Sequence, residues 1–505
     1  MKFLFKLPVI RLLNRVIVQK PFIHHRTLAV TSQYRAWKLT DLSFLDDGTP
    51  EDIGLKSNVS GLIERAFQNL TSGQQVLVIQ PYIKWGPLKK RNTTPELQLE
   101  ESVSLINTLN DWKVVGKEIV GLNGFESQYF FGKGKLSEIK ATVQQNQYIT
   151  CVFVSVEMLN RAQHEFLEQF FSVPVYDRYL IVMQIFREHA VSKEAKIQIA
   201  LAELPYMYSR MKYTEDSSLG RIGDSAKRIS GTTIFTTPDT RKLILHKYES
   251  KLKNELEKVR KHREMSRSSR QMNQHPVVAV VGYTNSGKTS IIKALTGQHK
   301  LTPKDCLFAT LDVTFHVGLL PCNMKVFYVD TVGFISDIPT HLIEPFSVTL
   351  RDAMQADVIL HVQDISHPDW KKQHDQVFET LEQLKIEKKL LGHVITVGNK
   401  VDRLTDEENQ LIPSDALKTS CLNFQGIDDL KLRLQDEIIK ATGRSHMVIR
   451  ARTGSEEDSW LRSEATVADA APDPKNMNYS LLSVLITEST LDKFKRTFIY
   501  SKSKK

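Results

Sequence analysis

The segment Gly282-Tyr283-Thr284-Asn285-Ser286-Gly287-Lys288-Thr289 constrains this chain more than any other. It reads Gly-x-x-x-x-Gly-Lys-Thr, follows the β-branched run 277–281 and precedes a helical pattern at 290–295. A strand, a glycine-bearing turn and a helix start in that order form a cradle for phosphate. The glycines let the backbone curl so that several N–H groups face one anion. The helix N-terminus adds partial positive charge. Lys288 is then placed to reach the β- and γ-phosphates, and the Thr289 hydroxyl to bind Mg²⁺. The expected fold is therefore α/β.

Asn399-Lys400-Val401-Asp402 follows a second buried-strand pattern at 393–397. The Asp402 carboxylate can accept from both N1–H and N2–H₂ of guanine, a pair of donors that adenine lacks. A site built on that match rejects the wrong base by roughly 10⁴. Between the two motifs lies Asp330-Thr331-Val332-Gly333, after a strand pattern at 326–329. Its Asp can hold Mg²⁺ through water, and its Gly N–H can sense a γ-phosphate. Upstream, Phe308-Ala309-Thr310-Leu311-Asp312 lies in a polar connection. Thr310 is the expected second hydroxyl ligand of Mg²⁺, with Thr314 the weaker candidate. Ser420-Cys421-Leu422 stands where a loop would close over the base. The order of these motifs predicts a GTP site. Lys288, Thr310 and Gly333 are the residues expected to act on the transferring phosphoryl group, and Thr289 and Thr310 to hold the metal.

The position after Gly333, which in many P-loop GTPases carries a water-orienting glutamine, is Phe334. A phenyl ring neither accepts a proton nor holds a water. Slow intrinsic hydrolysis is expected, with a large partner supplying the missing group.

A chain of 505 residues exceeds one hydrophobic core and divides into several domains. Its net charge of +10 invites a nucleic-acid reading. Residues 1–40 carry 8 Lys or Arg and no Asp or Glu, so the remainder holds only 10 − 8 = +2. That opening reads as a mitochondrial transit peptide, with a basic RNA-binding arm as the competing reading. No later run is long and apolar enough for a membrane span. The four cysteines, Cys151, Cys306, Cys322 and Cys421, form no metal-binding spacing, which points to a reducing compartment.

The rest of the chain divides by pattern. Residues 41–72 read as a linker. Residues 73–178 alternate strand and helix signals: strands at 76–79, 114–120, 128–131, 151–154 and 173–176, helices at 96–109, 136–145 and 157–171. That alternation argues for a small α/β domain with a mainly parallel sheet. Gly132-Lys133-Gly134-Lys135 there is either an RNA-phosphate contact or a plain tight turn. Residues 179–270 read as a helical hairpin. The apolar stripe Leu245, Tyr248, Leu252, Leu256 and Val259 forms its seam, and 217–237 a polar tip that is either a projecting probe or a disordered loop. Residues 275–443 form the nucleotide domain of Ras-like P-loop type, and 444–505 a small α+β appendage.

Taken with the upstream motifs, the chain resembles the HflX-type GTPases, in an organellar branch. Phe131-Gly132-Lys133-Gly134-Lys135, Asp177-Arg178, Ile185-Phe186, Lys196-x-Gln198 and 256–260 carry the more specific likeness. Phe308-Ala309-Thr310-Leu311-Asp312 and 330–334 are similar to the family's switches. The resemblance implies Mg²⁺-dependent GTP hydrolysis in the mitochondrial matrix. It implies binding to the large ribosomal subunit, with rRNA contacts from the N-terminal domain and hairpin loop, and subunit dissociation. Away from the ribosome the protein is expected to be a monomer. The tip, Gly231-Thr232-Thr233-Ile234-Phe235, lacks the family's Gly-Pro-Gly-Glu-type loop. Large-subunit maturation is the alternative role, and a scaffold with negligible turnover another. A metabolic phosphotransferase lacks a signature here.

Overall fold

The computed structural model describes residues 73–211, 238–269, 275–335, 355–405 and 417–500, apart from 88, 91–92, 300 and 385. The expected transit peptide, the linker and the hairpin tip lie outside the described residues.

The first unit is built from β1 (Gln75–Ile83), α1 (Pro95–Thr108), β2 (Lys113–Leu122), α2 (Lys133–Gln145), β3 (Cys151–Val154), α3 (Arg161–Phe171) and β4 (Val175–Tyr176). Its sheet runs β2-β1-β3-β4 with every pair parallel. The strand β1 passes through Pro81, where the 76–79 pattern had placed an end. Past Ile79 it pairs with β2 alone. Lys84 N–H points at β2, so the missing N–H of Pro81 faces the side where the β3 ladder has ended. Residues 128–131, expected to form a strand, form a turn, with Phe130 at φ 57°. Neighbouring strand residues face opposite ways. The turn instead buries Phe130 and Phe131 side by side, their rings 4.8 Å apart and edge to face. The helix expected from 157 begins at Arg161, because Asn160 and Gln163 form a capping box.

Helices α4 (Arg178–His189), α5 (Lys193–Met211) and α6 (Pro238–Ser269) follow. Buried Asp177 caps α4 by accepting from Leu180 N–H at 3.0 Å, and it also accepts from Leu159 N–H at 3.1 Å. Along α6, Leu245, Tyr248, Leu252 and Leu256 are buried and Val259 is partly so. This stripe packs on α5, and Glu249–Lys253 at 2.7 Å lies on the wet face.

The nucleotide domain contains β5 (Val277–Gly282), α7 (Lys288–Thr296), β6 (Thr314–Leu319), β7 (Lys325–Asp330), β8 (Val358–Asp364), α8 (Trp370–Gln383), α9 (Lys388–Leu391), β9 (Val394–Asn399), β10 (Leu417–Lys418) and α10 (Ile427–Thr442). Its sheet order is β10-β9-β8-β5-β7-β6, parallel except for β6 against β7. In such a sheet, ligands bind beyond the carboxyl ends of the strands where the order reverses, here at β5. A final antiparallel sheet, β11 (Arg444–Arg452), β13 (Tyr479–Thr487) and β12 (Thr466–Pro472), carries α11 (Glu456–Glu464) and α12 (Glu488–Phe494). Among the described residues no helix is long and apolar enough to cross a membrane.

One apolar cluster joins the parts. It includes Val76 and Phe153 of the first sheet, Phe186, Leu204 and Leu252 of the helices, and Leu307, Phe308, Leu311 and Phe334 of the nucleotide domain.

Candidate nucleotide site

The phosphate cradle forms where buried β5 breaks into its turn. Gly282 (φ 154°) and Gly287 (φ 94°) hold backbone conformations that side-chain-bearing residues avoid. A Cβ on Gly287 would stand 2.2 Å from Asn399 Nδ2, and one on Gly282 2.2 Å from the Val362 carbonyl oxygen. Lys288 opens α7 and its Nζ donates to the Tyr283 carbonyl at 2.8 Å and the Gly282 carbonyl at 3.3 Å. Burial pushes its ammonium down to about 8. A polyphosphate at this turn would oppose that shift. The Thr284 and Ser286 hydroxyl oxygens are buried and make no hydrogen bond within the protein. Buried hydroxyls in a cradle of backbone donors suit an anion.

Three oxygens converge beside the cradle. The Thr289 hydroxyl donates to Asp330 Oδ2 at 2.7 Å and the Thr310 hydroxyl to the same oxygen at 3.1 Å. The two hydroxyls are 3.3 Å apart. Asp330 Oδ1 is buried without a hydrogen-bond partner, and burial raises this carboxyl above its ordinary range. A hard divalent cation suits such oxygens and would relieve that burial, so these residues fit Mg²⁺. Thr314 lies on β6, its hydroxyl 2.9 Å from His316 Nε2.

Among the other 330–334 residues, the Thr331 hydroxyl donates to the Val280 carbonyl at 2.7 Å, holding β7 against β5. Val332 is partly buried against the shared apolar cluster. Gly333 packs so closely that a Cβ there would lie 2.9 Å from Lys288 Nζ. Phe334 is buried in the cluster. Its backbone bonds both edges of the cradle: Phe334 N–H donates to Gly282 at 3.1 Å, and Thr284 N–H to the Phe334 carbonyl at 2.6 Å.

The base pocket is a cavity of about 500 Å³ lined by Asn399, Lys400, Asp402, Cys421, Leu422 and Phe424, among others. Ser420 donates to Asp402 Oδ1 at 2.5 Å. Asn399 Nδ2 donates to the Ser286 carbonyl at 2.9 Å, and Lys400 Nζ to the Asn285 carbonyl at 2.8 Å, which fixes base pocket to phosphate cradle. Lys400 also pairs with Asp364 at 2.6 Å. Val401 is buried below the pocket, and Leu422 is exposed at its rim. Cys421 Sγ lies 3.6 Å from Asn399 Oδ1, and burial pushes its thiol up to about 12. At pH 7 it is therefore a neutral wall residue.

The 308–312 segment splits. Thr310 faces the metal-type oxygens, and Ala309 is exposed beside it, lining the cavity next to the cradle. Phe308 reaches both that cavity and the apolar cluster, and Leu311 is buried in the cluster. The expectation that Asp312 contacts nucleotide is corrected. Its carboxylate turns away to the N-terminus of α5, where it accepts from Val191 and Ser192. Three residues outside the motifs also shape the site. Asp364 orients Lys400, Asp305 accepts from Asn285 Nδ2 at 2.8 Å, and Glu101 accepts from the Tyr283 hydroxyl at 3.1 Å. Only Asp364 had a local signal, just after the run 358–362, which is apolar except for His361.

Comparison with known proteins agrees with this geometry. Residues 277–400 match a family model described as 50S ribosome-binding GTPase. Residues 189–270 match one described as GTP-binding GTPase Middle Region, and 96–187 one described as GTP-binding GTPase N-terminal. A Xenopus laevis protein named as GTP-binding protein 6 is 39% identical over 461 residues, covering 91% of this chain and 86% of that protein. A GTPase HflX of Caldanaerobacter subterraneus is 34% identical over 359 residues, covering 66% of this chain and 78% of its own. A chloroplastic GTP-binding protein of Arabidopsis thaliana is 30% identical over 367 residues, covering 67% of this chain and 59% of its own.

Proposed function

This chain belongs to the HflX-type GTPase family, and on that premise we propose that it is a GTP-driven factor of the mitochondrial large ribosomal subunit. Hydrolysis of GTP is the family's reaction; the large subunit as partner, the matrix location and subunit dissociation make up the proposal. The observation that carries it is the apolar cluster shared by the switch residues Phe308 and Phe334 and the helices of the hairpin. A rearrangement at the γ-phosphate cannot leave such a contact untouched, because packed cores are bistable rather than soft.

In this reading Asp402 selects guanine and Lys288, with the backbone of 282–288, holds the phosphates. Thr289 and Thr310 bind Mg²⁺, with Asp330 behind them. Bound there, Mg²⁺ would neutralise charge on the β- and γ-phosphate oxygens. The γ-phosphate needs the space by Thr284 and Gly333 that the Phe334 backbone now closes, so its arrival opens that β-type contact. Phe334 itself packs in the core and offers no group to orient water. Turnover is therefore slow until the ribosome supplies one, a contribution of about 10³ to 10⁵ where charge is supplied in trans. The name of the matched family, 50S ribosome-binding GTPase, supports the partner. The basic opening segment and the chloroplastic relative support an organelle. Single-turnover hydrolysis with and without purified mitochondrial large subunits tests this. Acceleration of tenfold or more is expected, and equal rates would refute it.

A further inference from the structure

The 308–312 segment is held from outside its own domain. The Phe308 carbonyl accepts from His189 Nδ1–H at 2.8 Å, at the end of α4. The Phe308 ring meets Phe186 edge to face at 4.9 Å. Four residues on, the Asp312 carboxylate accepts from Val191 N–H at 3.2 Å, Ser192 N–H at 3.1 Å and the Ser192 hydroxyl. Ser192 also caps α5, its Oγ accepting from Ala195 N–H at 3.0 Å. Thr310 sits between these two tethers, in a stretch without regular structure. Inside its own domain its hydroxyl bonds to Asp330 at 3.1 Å and lies 3.3 Å from the Thr289 hydroxyl.

We infer that the α4–α5 junction, at the base of the hairpin, is the positioning element for Thr310. His189 and Ser192 act through Phe308 and Asp312 to fix the threonine that faces the metal. The carboxylate is suited to this task. It takes three donors and lies at the positive end of α5, so the helix cap and the loop anchor are one interaction. A shift of α5 of about 1 Å moves Asp312 with it, and a threonine two residues away cannot keep its place. Hairpin and metal site are thereby joined by directed hydrogen bonds as well as by the shared apolar packing. The inference rests on the reading that Thr289 and Thr310 hold Mg²⁺.

The test uses the full chain and the variants Ser192→Ala, Asp312→Asn, Ser192→Thr and, as a control, Thr310→Ala. One readout is the Mg²⁺ concentration that half-suppresses release of a fluorescent GTP analogue. The other is hydrogen exchange across 308–313 in the nucleotide-free protein, which needs no metal. Ser192→Ala and Asp312→Asn are expected to raise the Mg²⁺ half-point about tenfold, the effect of losing a charged hydrogen bond. They also speed exchange at 308–313 and lower kcat more than they raise KM for GTP. Ser192→Thr keeps the hydroxyl and restores all three. If Thr310→Ala moves the half-point while Ser192→Ala and Asp312→Asn leave both readouts unchanged, the tether is refuted and the metal reading stands. If Thr310→Ala itself leaves the half-point unmoved, the metal reading falls and the inference falls with it.

Discussion

Replacement of Asp402 by asparagine gives the sharpest test of base selection. Ser420, fully buried, donates to Asp402 Oδ1 at 2.5 Å. In the variant that hydroxyl still demands an acceptor, so the amide oxygen stays toward Ser420. The NH₂ group then occupies the place of Oδ2, facing the base pocket of about 500 Å³. It meets the guanine N2–H₂ donor with a donor of its own, while the second lone pair of the amide oxygen can still take N1–H. Hydrogen bonds to a charged acceptor contribute about 1.5–3 kcal/mol each. Losing one costs about 1.5–3 kcal/mol, or roughly 10 to 10² in affinity. Xanthine carries a carbonyl where guanine carries N2, and that oxygen accepts from the new NH₂. Xanthosine triphosphate should therefore gain at least tenfold while GTP loses. Adding Ser420→Ala frees the amide to turn over and should erase part of that gain. Titration calorimetry with both nucleotides reads the outcome. A GTP affinity within threefold of wild type, or no gain for xanthosine triphosphate, would refute the assignment.

Other outcomes follow from the same geometry. Lys288→Ala should weaken GTP binding by about a hundredfold or more, since a buried charged donor to phosphate is lost; an unchanged dissociation constant contradicts the cradle. Glu101→Ala removes the carboxylate that pairs with the Arg178 guanidinium, buried on α4, and accepts from the Tyr283 hydroxyl. A loss of about 3 kcal/mol is expected in denaturant unfolding, and a change under 1 kcal/mol would contradict it. Burial holds the imidazole of His361 down to about 3, against an ordinary value near 6.5. Between those values the unfolded chain binds a proton that the folded chain refuses, so stability falls as pH drops below about 6.5, by up to about 1.4 kcal/mol per unit. His361→Leu should flatten the melting profile between pH 6.5 and 4.5, and an unaltered slope would contradict it.

What could be read from sequence was what is local. Gly282 to Thr289 needs only a strand, a turn and a helix in succession, and Asn399 to Asp402 only a strand end. The α6 stripe follows from its period, and its buried face is the one the period predicts. Non-local contacts left no such mark. Asp312 and Ser192 stand 120 residues apart, and Tyr283 and Glu101 182 apart. Nothing near Asp312 distinguishes a helix anchor from a nucleotide contact. The 128–131 turn was hidden for another reason. Two adjacent aromatics read as a strand until a left-handed residue lets both face inward. β12, Thr-Val-Ala-Asp-Ala-Ala-Pro, lacks the alternation on which strand reading depends, whereas β6, Thr-Phe-His-Val-Gly-Leu, carries it and was legible.

The central claim is that GTP, through the shared core of switches and hairpin, makes this chain competent for the large subunit. Co-sedimentation of the full protein with purified mitochondrial large subunits addresses it directly. Retention in the pellet with a non-hydrolysable GTP analogue, and release with GDP, is the expected result. Equal retention in both, or none in either, would contradict the account.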